Sequence, residues 1–194
     1  MKDQDSVEYQ RTMSQLIEEV GSWATRNFVN HAPVLGILEE IGEVGHGVLK
    51  HLQGIRGFDD EKKFVSHLVD GFADAAIYLC HCAYSHRAFF AFKRNCVGVT
   101  VPPDRVEYHI ISQVLQSLAA LMNQEARDFG SDESKQEAIN LYNVFCQRMC
   151  NALELWAASY SIDLEAVTFA TWKRIVSKRD WVEDAVEGGG HKHD

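Results

Sequence analysis

Two short acidic stretches hold the residues of this sequence best suited to chemistry. The first is Glu39-Glu40-Ile41-Gly42-Glu43. On a helix, Glu39 and Glu43 (i, i+4) and Glu40 and Glu43 (i, i+3) share one face. The stripe Val34, Ile37, Leu38, Ile41, Val44 and Val48 occupies the other. A solvated acidic face is the plain reading. Against it, like charges at this spacing repel, and no Lys or Arg within one turn offsets them. Gly36 and Gly47 fall on the carboxylate side, where they leave room for a ligand or another helix. The second stretch runs from Leu68 to His86, where Asp70 and Asp74 are the only formal charges. A helix so apolar all round is expected to be buried. Two carboxylates on one face there are costly unless a cation lies between them. Facing helices presenting Glu40, Glu43, Asp70 and Asp74 would form an all-oxygen site suited to Mg²⁺, with Mn²⁺ as a substitute. The other reading is a salt bridge to a distant Arg.

Basic residues gather late, as Lys173, Arg174, Lys178 and Arg179. On a regular last helix, Lys178 and Arg179 share the side of Leu164, Val167 and Ile175. There they either meet a ligand's phosphates or snorkel to solvent. Cys80-His81-Cys82, with His86 nearby, invites a zinc reading, but the C-x2-C spacing is absent. The five cysteines are odd in number and mostly sit in apolar helical pattern, so they read as core thiols of a reducing compartment.

The elements that must position these groups are helices. Apolar periodicity predicts them over about 7–27, from Pro33 to His51 or Leu52, over about 61–90, 104–129 and 132–160, and from an Asp163 N-cap to about 180–181. Gln53 to Asp60 is a loop by its glycines, 97–101 is a short extended piece, and the glycine- and histidine-rich 188–194 is a disordered tail. The fold class is all-α, a helical bundle. The chain has 194 residues, 46% hydrophobic and 24% charged, which excludes disorder as a whole. A net charge of −9 and pI near 5.4 speak against a basic groove for polymeric nucleic acid. No apolar run approaches the roughly 20 residues that span a bilayer, and the first residues lack a signal-peptide core. A soluble, cytoplasmic protein with no membrane partner is expected.

Several of these segments together resemble the MazG-like all-α nucleoside triphosphate pyrophosphohydrolases. They are Leu35 to Val44 with its E-E-x-x-E core, Lys50 to Gly57, Asp70-x3-Asp74-x2-Ile77-Tyr78-Leu79, Ile162-Asp163-Leu164-Glu165, and Trp172-Lys173-x2-Val176-x2-Arg179-Asp180-Trp181. The resemblance covers about residues 10–84 and 161–181. It implies one domain over 1–187, with a core at about 7–84 and 161–181 and an inserted helical hairpin at about 85–160. It implies Mg²⁺-dependent cleavage of NTPs or dNTPs between the α and β phosphates, giving a nucleoside monophosphate and pyrophosphate, in the manner of nucleotide-pool clean-up. Glu40, Glu43, Asp74 and Asp70 would hold metal, and Glu39 would orient or deprotonate the attacking water. Tyr78, Lys173, Lys178 and Arg179 would contact phosphates, and Trp23 would either stack on the base or belong to the core. A homodimer or higher homo-oligomer is implied as well. One departure stands out: Gly71 occupies the place of the family's usual Glu, with Asp70 one residue earlier.

Two other classes compete. Glu43-Val44-Gly45-His46 supplies one E-x-x-H, but a di-iron bundle needs two on separate helices. A non-catalytic helical module binding nucleotide or protein is the alternative if Gly71 has cost the site its metals.

Overall fold

The structure, a computed structural model, describes residues 12–28, 32–93, 106–126 and 132–178, without the side chains of 106–107, 132–133 and 176–178. Six helices are present: α1 (Met13–Asn27), α2 (Pro33–Leu52), α3 (Glu61–Ser85), α4 (Val106–Glu125), α5 (Asp132–Ser159) and α6 (Leu164–Lys178). No strand occurs among the described residues, so the fold class is all-α as expected. The start and stop signals follow the residue types. Thr12 and Gln15 form a reciprocal capping box on α1, and Pro33 occupies the first turn of α2. The Asp60 side chain accepts from Lys62 N–H and Lys63 N–H, and that of Asp163 from Ala166 N–H at 3.0 Å. Among these helices none is long and apolar enough to cross a membrane.

α3 is the central helix, touching α1, α2, α5 and α6, which explains its lack of a polar face. α2 and α3 run antiparallel, joined by the loop from Gln53 to Asp60, where Gly54 and Gly57 take positive φ of 62° and 99°. Their register reads directly from pairs that step in opposite directions. A Cβ on Gly36 would lie 2.4 Å from the Tyr78 ring, one on Gly71 2.7 Å from Val44 Cγ2, and one on Gly47 2.4 Å from the His67 ring. Further along, the His51 ring stacks on Phe64 at 3.9 Å. Glycine at 36, 47 and 71 thus lets the two helices close on each other, with Tyr78 and His67 of α3 filling the room at Gly36 and Gly47, and Val44 of α2 that at Gly71.

One helix end differs from expectation. α3 stops at Ser85 rather than near residue 90. Arg87 adopts φ 54°, and Ala88 N–H reaches back to Ala83 C=O at 2.8 Å, a Schellman-type stop without its usual glycine. From there the chain extends along α5. Phe89 N–H donates to Asn143 Oδ1 (2.6 Å), Ala91 N–H to Gln147 Oε1 (3.0 Å) and Lys93 N–H to Glu154 Oε2 (3.1 Å). Side chains of α5 thereby satisfy a backbone that no sheet or helix pairs. α4 packs chiefly on α5. The expected extended piece at 97–101, the 188–194 tail and the Gly130-Ser131 turn lie outside the described residues.

Candidate functional site

The α2–α3 register brings the two acidic stretches face to face. Glu40 and Asp74 both line a cleft of about 240 Å³. Glu39 lines a neighbouring hollow with Gly36, Phe28, Tyr78 and His81. Glu43 and Asp70 are exposed on the same two helices, near enough for their charges to act on Asp74. The acids are therefore gathered as expected, through one antiparallel pair.

They are not electrostatically at rest. Glu40 is raised from its ordinary value to about 7, first by burial, then by the charges of Asp74, Glu43 and Glu39. Asp74 is raised as well, first by burial and then by Asp70, with Arg174 opposing. The Tyr78 phenol is raised by burial and next by Glu40. Arg174 Nη2 lies 3.4 Å from Asp70 Oδ1, so the distant-arginine partner anticipated for this pair exists on α6, next to Asp70 rather than between the acids. Even with that cation, the neighbouring carboxylates add to the rise of Glu40 and Asp74. An all-oxygen donor set of this kind, short of positive charge and at the rim of a cleft, fits a hard divalent cation such as Mg²⁺.

The rest of the cleft is aromatic. Its walls are Val20, Trp23 and Ala24 of α1, Phe28 just beyond, Ile77, Tyr78 and His81 of α3, and Trp172 and Ile175 of α6. Trp23 meets Phe28 edge-on at 5.3 Å and Trp172 at 5.6 Å, and Trp172 Nε1–H donates to Glu19 Oε2 at 3.0 Å. These contacts fix the ring planes. His81, 4% exposed, lies beside Phe28, a polar group in an apolar wall.

Of the expected substrate contacts, Tyr78 and Trp23 line the cleft. Lys173 is exposed and outside its lining. The side chain of Lys178 and all of Arg179 lie outside the described residues, as does the Arg179-Asp180-Trp181 end of the family-like motif. The basic residue that does reach the acids is Arg174, which periodicity alone did not single out. The rotation of α6 is set by burying Trp172 and turning Ile175 to the cleft. Phe28 falls just past the end of the expected first helix, and in the sequence His81 stands out only within Cys80-His81-Cys82. An i, i+4, i+7, i+11 series from Asp70 through Asp74 and Ile77 to His81 was the signal available for the latter.

The raised carboxylate has a measurable consequence. An acid whose folded value lies above its unfolded one holds more protons when folded, so stability falls as pH rises between the two values. For Glu40 that window runs from the ordinary 4.5 up to about 7. Thermal unfolding in chelator is expected to lose stability across that range, with a shallower loss in Glu40→Gln and a gain from Mg²⁺ at the upper end. Equal slopes in the two proteins would remove Glu40 as the cause.

Compared with family models, with curated proteins and with solved structures, the chain has no significant match in any of the three.

Proposed function

We propose that the chain is an Mg²⁺-dependent nucleoside triphosphate pyrophosphohydrolase of the MazG-like kind, with Mn²⁺ as a substitute ion. It cleaves NTP or dNTP between the α and β phosphates to a monophosphate and pyrophosphate. The observation that carries this reading is the direct junction of an aromatic cleft with an acidic rim. A flat apolar base and a polyanion needing a cation are the two halves of one ligand, and the cleft offers a wall for each.

Glu40, Glu43 and Asp74 would hold the ion, with Asp70 the fourth carboxylate of the group and the partner of Arg174. The cation supplies charge neutralisation to the triphosphate and to the charge that develops as the anhydride breaks. The residues do the rest. Trp23, Phe28 and Trp172, the first packed edge-on against the other two, form the apolar wall for the base, exclude water and leave its edge to His81. Arg174 and the Tyr78 hydroxyl meet phosphate oxygens. Glu39, in the hollow next to the cleft, orients the attacking water and accepts its proton at a carboxylate oxygen. Gly71 in place of the family's usual Glu has a packing account. It lies against Val44, where even a Cβ would come within 2.7 Å, so the carboxylate is supplied from the neighbouring face by Asp70. Leu35, Leu38, Leu49 and Leu52, all exposed on α2, favour a homo-oligomer.

The test is a panel of canonical and noncanonical NTPs and dNTPs with Mg²⁺, with products separated by chromatography. Monophosphate plus pyrophosphate, lost in chelator and in Glu43→Gln, is expected. Release of orthophosphate alone would put the cleaved bond elsewhere. No turnover with nucleotide still bound would leave the non-catalytic module.

A further inference from the structure

Away from the acidic cleft, at the far end of α3, a second group of ligand-type side chains converges from helices distant in sequence. Cys82 is buried in the last turn of α3, and His86 follows four residues later at the helix cap. His86 Nε2 lies 2.7 Å from Oε1 of Glu125, the final residue of α4 and 39 residues away. The Cys82 sulfur, a His86 ring nitrogen and a Glu125 carboxylate oxygen all fall within 4.8 Å of one another. The imidazole is held in place. It stacks on the Tyr142 ring of α5 with centroids 3.7 Å apart and planes 5° from parallel. The fully buried Cys146 thiol of α5 lies beside that of Cys82, outside the three atoms that converge.

We infer that Cys82, His86 and Glu125 form a second metal site, selective for zinc, with the fourth position open to water. A thiolate, an imidazole and a carboxylate make a borderline-soft, three-ligand set of the kind zinc prefers, and one poor for Mg²⁺. The bond lengths usual for zinc place tetrahedral S and N ligands about 3.5 Å apart. The present spacing, within 4.8 Å, therefore needs shifts of roughly an ångström. The i, i+4 step from Cys82 to His86 puts both donors on one side of the final turn, and the Schellman-type stop at Arg87 fixes where that turn ends. His81 takes no part, since it faces the aromatic cleft. The tripeptide Cys80-His81-Cys82 is therefore split by the helix, and only Cys82 points to this group. The ion would join the end of α3 to the end of α4, tying together helices of the expected core and of the expected insert. Its role is structural, because none of its three ligands lines the acidic cleft.

The test uses the full chain, stripped with chelator, held in excess Mg²⁺ and titrated with Co²⁺ and then Zn²⁺. One tight equivalent of Co²⁺ is expected, with an intense tetrahedral visible spectrum and a thiolate-to-metal charge-transfer band, both displaced by one Zn²⁺. The band in the unsubstituted protein reports thiolate ligation without any variant. It should persist in Glu43→Gln and in the His191→Ala/His193→Ala double variant. It should vanish in Cys82→Ser and in His86→Ala, whose part-exposed ring can be removed without opening the core. Zinc should also raise the melting temperature of the wild type and not of His86→Ala. A weak octahedral spectrum without the charge-transfer band, or a band unchanged in His86→Ala, would overturn the site. It would leave a His86–Glu125 hydrogen bond beside a pair of core thiols.

Discussion

Glu40→Gln is expected to move activity and stability in opposite directions. Turnover of the best nucleotide should fall about 10²–10³-fold, the loss seen when one contact to developing charge is removed. In chelator near pH 8 the same variant should melt higher than the wild type, by roughly 2–4 °C. That corresponds to about 1 kcal/mol in a chain of this size, kept small because the side chain is only half-buried and its charge is screened. Both arms have one cause. Glu40 is pressed toward its neutral form by burial and by Asp74, Glu43 and Glu39, so the folded protein carries a repulsion that an amide removes. That repulsion is also what recruits a divalent cation. A structural carboxylate would behave otherwise, since removing its charge would strand a partner and lower stability. A variant that is active, or one that melts lower in chelator, would exclude the proposed use of this face. Mg²⁺ adds a check: it should raise the melting temperature of the wild type and do little for the variant.

The acidic face was legible before any coordinates because it depends only on helical period. Glu40 and Glu43, and Asp70 and Asp74, share faces on any regular helix, and the absence of local cations marks them. The opposition of the two faces was also within reach, because α2 and α3 are joined by a loop of a few residues and must lie side by side. Three things were not legible. The stop of α3 at Ser85 rests on Arg87 in a left-handed conformation, and no glycine or proline announces it. The placing of Arg174 beside Asp70 depends on how α6 is rolled by the burial of Trp172, a tertiary outcome that residues 164–178 do not encode alone. The meeting of His86 with Glu125 depends on where α4 ends against α3, across a long stretch of chain. Local pattern gives faces, while pairings at long sequence separation come from packing.

The converse dissociation is expected on the opposite side of the same helix. Phe72 is two residues from Asp74, which turns it about 200° around α3, away from the acids and toward α5. There it is fully buried and meets Trp156 edge-on with centroids 5.3 Å apart. Phe72→Ala removes a ring from the contact that holds α5 against α3, and large-to-small changes of this kind cost about 3–5 kcal/mol. At 2–4 °C per kcal/mol for a chain of this length, the melting temperature should fall by roughly 6–20 °C. Measured well below that temperature, turnover per folded molecule should stay within about threefold of the wild type, a difference under 1 kcal/mol in the barrier. The distances among Glu40, Asp74 and Tyr78 are set by α2 packing on the other face of α3, where Gly36 and Gly71 allow the close approach. A stability loss under about 1 kcal/mol would mean that the Phe72–Trp156 contact is not part of the load shared between α3 and α5. A large loss of turnover in folded protein would mean that α5 holds the acidic face in place, and that the extra helices belong to the site rather than beside it.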